Sequence, residues 1–233
     1  MQTFTYITPF EVPQGQEDEF RRQWHDTTEL LSRAPGFLAS WLYEVSPEIE
    51  TYVQQHIFNM KWLEQRFRFT SIAEWASIEH FEAAMRSPLV EAKTISFPSY
   101  PAPYRLLGGL DRPTEHPPRT GRELTFIVPF EVPEGQEEEM RRQFRAVVEG
   151  MERKEGSLGP GLYELDKRAG ERLQNMLSGQ VARTPFSFIN VAEWASIEHY
   201  EAAMRSRRDL KPISFMGHGT YYRLAAEYKR SAN

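Results

Sequence analysis

The chain repeats itself. Pro9-Phe10-Glu11-Val12-Pro13-Gln14-Gly15-Gln16-Glu17 returns as Pro129-Phe130-Glu131-Val132-Pro133-Glu134-Gly135-Gln136-Glu137, an offset of 120, and Ala73 to Ser87 returns as Ala192 to Ser206 with one change in 15, an offset of 119. Ile95-Ser96-Phe97 and Tyr104-Arg105-Leu106 return at Ile213 and Tyr222, an offset of 118, so the copies differ only by small deletions. A long fixed period constrains folding strongly, because each copy must form the same supersecondary unit and bury one face of it against a neighbour. The repeat divides the chain into residues 1–108, a linker at 109–121 and residues 122–233. The linker's prolines, glycines and charges suit an extended, solvated connection.

Within each copy the same order of elements is legible. Phe4, Tyr6, Thr8 and Phe10 alternate along Thr3 to Phe10, as do Leu124, Phe126, Val128 and Phe130, which is strand periodicity. After a Val-Pro turn, Phe20, Trp24, Thr27 and Leu31 recur at helical spacing, matched by Met140, Phe144, Val147 and Met151. Gly36 and Gly156 close these helices. Phe37 to Val45 and Leu158 to Leu165 read as second strands, and Phe67 to Ile72 and Phe186 to Val191 as third strands. A helix containing Trp75 or Trp194 follows, then a fourth strand near Tyr104 or Tyr222. The order β-α-β-β-α-β is that of a ferredoxin-like unit, a four-stranded antiparallel sheet with two helices on one face. Its other face stays apolar and needs a cover. The expected fold is therefore α+β, with two tandem βαββαβ repeats packed sheet to sheet as a pseudo-dimeric barrel.

Composition removes several function classes. With 28 Lys+Arg against 33 Asp+Glu the net charge is -5, which lacks the basic footprint of a nucleic-acid binder. No uncharged stretch exceeds 11 residues, whereas a membrane helix needs about 20 apolar ones. Residues 1 to 10 have neither the basic flank nor the apolar run of a secretory signal. The chain has no cysteine, so disulfides, thiolate metal sites and Cys nucleophiles are excluded. The expectation is a soluble, cytoplasmic protein.

The phrase Phe67-Arg68-Phe69-Thr70-Ser71-Ile72-Ala73-Glu74-Trp75, with its echo Phe186 to Trp194, resembles the antibiotic biosynthesis monooxygenase family of dimeric α+β barrels, in which a strand leads into x-x-W-x-S and then a helix. The resemblance covers both copies and implies a tandem fusion of a unit that usually pairs as a homodimer. Members that oxidise anthrone-like or naphthacenone polyketide rings to quinones carry an Asn, a Trp four residues later and, in some, a Tyr six after the Trp. Asn190, Trp194 and Tyr200 match all three, whereas the first copy has Ser71, Trp75 and Phe81. The resemblance thus implies an active second copy with Asn190, Trp194 and Tyr200 as catalytic residues, and a degenerate first copy. Arg223 is a candidate for an arginine that such oxygenases also use. The implied cofactor requirement is none bound, with O2 as cosubstrate, or reduced flavin delivered as a diffusible cosubstrate by a partner flavin reductase. The implied substrate is a small aromatic polycycle, and a homo-oligomer is compatible with the family.

Each residue also has a plainer role. Asn190-Val-Ala-Glu193 and Ser71-Ile-Ala-Glu74 read as capping boxes, so Asn190 is a cap alone or a cap with chemistry. Trp75 and Trp194 fit a core-facing helix stripe. Tyr200 discriminates the copies best, since its hydroxyl needs a partner where the first copy has Phe81. His80 and His199 read as solvated, and no histidine-carboxylate set with metal-ligand spacing occurs. The glycine-rich Gly156 to Gly161 enters a strand after a helix, the wrong order for phosphate binding. The charge clusters of Glu17 to Arg22 and their copy read as a solvated helix face. The long segments Ser46 to Arg66 and Asp166 to Pro185 read as lids or as hairpins on the partner copy, with Tyr52, His56, Phe58, Met60 and Trp62 suited to cover a flat ligand. The resulting reading is an oxygenase that tailors an aromatic polyketide by quinone formation or ring opening. The alternatives are a polyketide cyclase of the same fold and a non-catalytic small-molecule binding protein.

Overall fold

The structure, a computed structural model, describes residues 3–57, 66–92, 95–107, 120–151, 153–176, 184–206 and 213–230. Phe58, Met60, Trp62 and most of the linker lie outside the described residues. The first copy comprises β1 (Phe4–Phe10), α1 (Glu17–Ser32), β2 (Phe37–Val45), α2 (Pro47–His56), β3 (Phe69–Trp75), α3 (Ile78–Met85), α4 (Pro88–Glu91) and β4 (Ala102–Leu106). The second comprises β5 (Leu124–Glu131), α5 (Glu137–Val148), β6 (Ser157–Leu165), α6 (Lys167–Met176), β7 (Phe188–Trp194), α7 (Ile197–Arg205), β8 (Met216–Gly217) and β9 (Thr220–Lys229). None of these helices is long and apolar enough to cross a membrane.

All strand pairs are antiparallel, and the ring β1-β3-β2-β9-β5-β7-β6-β4 closes on itself as an eight-stranded barrel, with β8 an extra edge on β5. The two seams between copies are β2–β9 and β4–β6. Closure removes the free sheet edges that each copy would otherwise expose. A barrel of eight strands is just wide enough for side chains to fill. Ile7, Tyr43, Ile72 and Tyr104 of the first copy meet Ile127, Tyr163, Ile189 and Tyr222 of the second inside it. The buried tyrosine hydroxyls bond across the pseudo-two-fold, Tyr104 to the Phe186 carbonyl and Tyr222 to the Phe67 carbonyl, each at 3.0 Å. The predicted sheet-to-sheet pseudo-dimer is thus one continuous barrel.

Four local expectations are corrected. First, Trp75 and Trp194 are not on helices: each is the last residue of its strand, and the helix begins three residues later at Ile78 or Ile197. The extended backbone keeps Phe188, Asn190, Ala192 and Trp194 on one face and Ile189 and Val191 on the other, and Ile189 and Val191 fill the barrel. Second, Ser71 and Asn190 are mid-strand and cap nothing. The cap of α7 is Ser196, whose hydroxyl accepts the His199 N–H and also meets the His199 ring, as Ser77 meets His80. Third, Thr28 and Val148, rather than Thr27 and Val147, complete the buried stripes of α1 and α5. Fourth, the segments after β2 and β6 are neither lids nor hairpins at their start but the helices α2 and α6, capped by Ser46 and Asp166.

These two helices cross over. Ile49 and Val53 of α2 pack on Leu124, Trp194 and Tyr200 of the second copy, and Leu173 of α6 packs on Trp75 and Phe81 of the first. Polar pins repeat with the same symmetry: Tyr52 donates to Glu201 on α7 at 2.8 Å, and Arg172 donates to Glu82 on α3 at 2.7 and 2.8 Å. Each copy therefore roofs the outer face of the other. The charge clusters of α1 and α5 are largely exposed as expected, except that Arg21 and Arg141 reach the sheet at Glu44 and Glu164.

Candidate functional site

The site is built on the face of β7 that looks toward α5 and α7. Trp194 at the strand end and Tyr200 on the first turns of α7 are buried and in contact, with ring centroids 5.7 Å apart in an edge-on arrangement. Asn190 lies on the same face four residues back along β7, about 13 Å away at the ordinary strand rise. Phe126, opposite Ala192 on β5, joins the two ends, packing on the Trp194-Tyr200 cluster at one and on Val128 and Phe144 at the other. Asn190, Ala192 and Phe126 are all partly exposed, so solvent reaches this strip of the sheet. Among the predicted residues the structure therefore joins Trp194 to Tyr200 directly and sets Asn190 at the far end of a shared, mostly apolar face.

Asn190 is unusual in its surroundings. Its neighbours across the strands are Val128 and Leu162, and its Oδ1 is buried with no hydrogen-bond partner. An unmade hydrogen bond of this kind costs about 1–3 kcal/mol. At the matching place in the first copy the Ser71 hydroxyl accepts the Trp24 indole N–H at 3.0 Å, but the second copy has Phe144 where the first has Trp24. Trp75 has no partner for its indole N–H either, in a pocket of Phe37, Phe81 and Leu173.

A second hydroxyl joins Tyr200. Tyr221, on β9, lies 2.8 Å from it oxygen to oxygen, and the Tyr221 ring stacks on Phe126 at 4.7 Å. Burial pushes the hydroxyl pKa of both tyrosines up, so both stay neutral. Next to Tyr221, Thr220 donates to the carboxylate of Glu50, a residue of α2 and hence of the first copy. The pseudo-symmetric positions around the matching face of the first copy are Phe81 for Tyr200, Pro103 for Tyr221, Ala102 for Thr220 and, crossing over from the second copy, Gly170 of α6 for Glu50. A polar group of the second site is thus replaced by an apolar one at all four places. Aligning the two copies position by position carries this signal; a motif search confined to β7 and α7 misses Tyr221, Thr220 and Glu50. Arg223 is half-exposed and lies 3.9 Å from the Glu48 carboxylate, outside the Tyr200-Tyr221 pair.

Burial raises the Glu50 pKa against the Thr220 hydroxyl and the Tyr221 N–H, which lower it. A carboxyl whose folded pKa is raised adds stability below its unfolded value, near 4.3, and loses it as pH rises through the folded value. Glu50→Gln keeps an oxygen for both donors and carries no charge. It should match the parent's melting temperature at acid pH and exceed it at neutral pH; a variant less stable at neutral pH would refute this account.

Among the described residues no group of three or more His, Asp or Glu side chains is placed to hold a metal ion. The family model for antibiotic biosynthesis monooxygenases matches residues 3–92, the first copy. No curated protein matches the chain. Among solved structures, an anthrone oxidase-like protein aligns over 100% of this chain and 95% of its own at 13% identity and a TM-score of 0.57. A proposed monooxygenase from Fusobacterium nucleatum subsp. nucleatum aligns over 98% and 95% at 10% identity and 0.56, and another from Lactobacillus acidophilus over 99% and 97% at 7% identity and 0.53. At these identities the alignments show a shared fold over the whole chain. The first copy, over residues 3–92, thus matches the antibiotic biosynthesis monooxygenase family, and the second copy is the repeat that closes its barrel.

Proposed function

We propose that the protein is an oxygenase for a small aromatic polycycle of polyketide type, acting at the helix-side face of the second copy. The observation that carries this reading is the unpartnered Asn190 oxygen on an aromatic-lined face whose other end holds the Tyr200-Tyr221 hydroxyls. A flat polycyclic phenol or anthrone would lie along Ala192 and Phe126, with one oxygen at each end. Asn190 offers an amide donor and acceptor, and Tyr200 an O–H. Both stabilise the anion left when the substrate loses its acidic proton. That anion passes an electron to O2, the radical pair combines to a hydroperoxide, and loss of water gives the quinone. In sum a ring CH2 and O2 become C=O and H2O. The apolar walls keep bulk water from the anion and from the intermediate.

The test is oxygen uptake. With an anthrone as substrate the purified protein should consume O2 and form the quinone chromophore without added reductant, and chelators should leave the rate unchanged. A requirement for a flavin reductase and NAD(P)H would select the reduced-flavin version. Product formed equally under anaerobiosis would make the protein a cyclase. Ligand binding without turnover in any of these assays would make it a binding protein.

A further inference from the structure

We propose that Tyr221 is a positioning residue which acts through Tyr200, donating to the Tyr200 oxygen so that Tyr200 presents its own proton to the ionised phenol or enol oxygen of the ligand. The inference rests on the oxygenase reading for the site's location and names the group it recognises. Its ground is geometric. The two hydroxyls are 2.8 Å apart, both residues are buried, and they sit against Trp194 and Phe126 at the closed end of the face. A tyrosine that accepts a hydrogen bond is a better donor in turn, and in a low-dielectric pocket this polarisation is strengthened. A structural tyrosine pair would need no further features around it. Here Tyr200, Tyr221, Thr220 and Glu50 stand at four places where the matching face around the first copy has Phe81, Pro103, Ala102 and Gly170, although both copies keep the same strands, the same crossing helix and the same Trp. The fold is thus built without the pair in one copy, and the pair is additional to it.

The surroundings keep the pair protonated. Burial raises both hydroxyls, and the charged group acting on Tyr221 is Glu50, which faces it from α2 and raises it further. On Tyr200 the titratable neighbour that acts, among the described residues, is Tyr221, which burial keeps neutral. An anion arriving at Tyr200 therefore meets a neutral donor that does not lose its proton in the working pH range.

The experiment uses 2-hydroxyanthraquinone, a polycyclic phenol that is already oxidised and changes colour on ionisation, titrated with the full-length protein by visible absorbance. The bound dye should ionise about one to two pH units below the free dye, as one charge-assisted hydrogen bond to its anion implies. Tyr200→Phe should abolish that shift, and Tyr221→Phe should reduce it about tenfold in ionisation constant. The double variant should be no worse than Tyr200→Phe alone, because Tyr221 acts only through Tyr200. Tyr6→Phe, in the first copy, should leave the shift intact. If Tyr221→Phe does not fold, Tyr221→Met, which likewise has no donor, takes its place with the same expected loss. A dye that fails to bind the parent protein, binds with its ionisation unshifted, or keeps its shift in Tyr200→Phe or Tyr221→Phe overturns the proposal. Because the dye needs no O2, a shift lost in both variants without oxygen uptake from any anthrone supports the pair and refutes the oxygenase. Oxygen uptake with a shift that ignores Tyr221 does the reverse.

Discussion

Asn190→Ala is expected to cut turnover about 10²-fold or more while leaving the melting temperature unchanged or raising it. The turnover loss follows from removing one preorganised donor aimed at a developing oxyanion, which typically costs that much. The stability result follows from the buried Oδ1, which has no partner in the folded chain and is solvated in the unfolded one. Removing it deletes a penalty, offset in part by the small cavity left between Val128 and Leu162. Ser71→Ala, at the matching place in the first copy, should behave in the opposite way. Turnover should stay within about twofold, but the buried Trp24 indole N–H would lose its acceptor, at a cost of about 1–3 kcal/mol. Thermal melts with steady-state rates on the four proteins, parent, two singles and the double, read both effects. Equal turnover losses from Ser71 and Asn190, or an Asn190→Ala variant that melts well below the parent, would remove the functional role.

How much of this was legible from the residues depends on the length scale of the signal. The repeat and the alternation of Phe4, Tyr6, Thr8 and Phe10 report on local backbone, and both lead to the barrel, although its interior is met by Ile7 of the opposite face. Trp75 and Trp194 misled because Trp, Ile, Phe or Tyr, and Met also fit a helical stripe over a short window. The three residues from Trp194 to Ser196 hold a strand end, a turn and a cap, which periodicity averages away. The same averaging made Asn190 look like a cap, since the Asn-x-x-Glu pattern carries no information about whether its backbone is extended. The site residues that escaped, Tyr221 and Glu50, reach Tyr200 through pairings 21 residues away along the chain and across the copy boundary. Nothing local marks them. Packing of these segments on the partner copy was legible only as one alternative, and as hairpins rather than the helices α2 and α6, because an amphipathic segment does not say which copy its apolar face will meet.

The repeat also places two glycines under a demand that only glycine meets, and substitution there should produce large stability losses. Gly36 and Gly156 have φ of +81° and +78°, the left-handed region. A side chain there costs about 1–2 kcal/mol from backbone strain alone. Each also lies under a histidine ring of its own copy, from α3 or α7. A Cβ on Gly36 would stand 2.2 Å from the His80 ring, and one on Gly156 would stand 2.3 Å from the His199 ring. The rings cannot simply swing aside, since each Nδ1 meets the hydroxyl of Ser77 or Ser196, the residue before the helix, at 3.1 or 3.0 Å. Nor can the glycine segment retreat, because the carbonyls of Gly36 and Gly156 accept the N–H of Ala76 and Ala195 at 2.7 Å, just past the strand end that carries Trp75 or Trp194. Overpacking of this kind adds about 1–3 kcal/mol. Gly156→Ala should therefore lose about 2–5 kcal/mol, roughly 5–15 °C in melting temperature for a chain of this size. His199→Ala in the same chain should recover the overpacking part and leave the backbone part, so the double variant should melt between Gly156→Ala and the parent. Recovery to the parental value would show that the ring contact is the whole effect. No recovery at all would show that the positive φ is. A Gly156→Ala protein that melts with the parent would mean that the histidine and its cap are not held as the structure holds them.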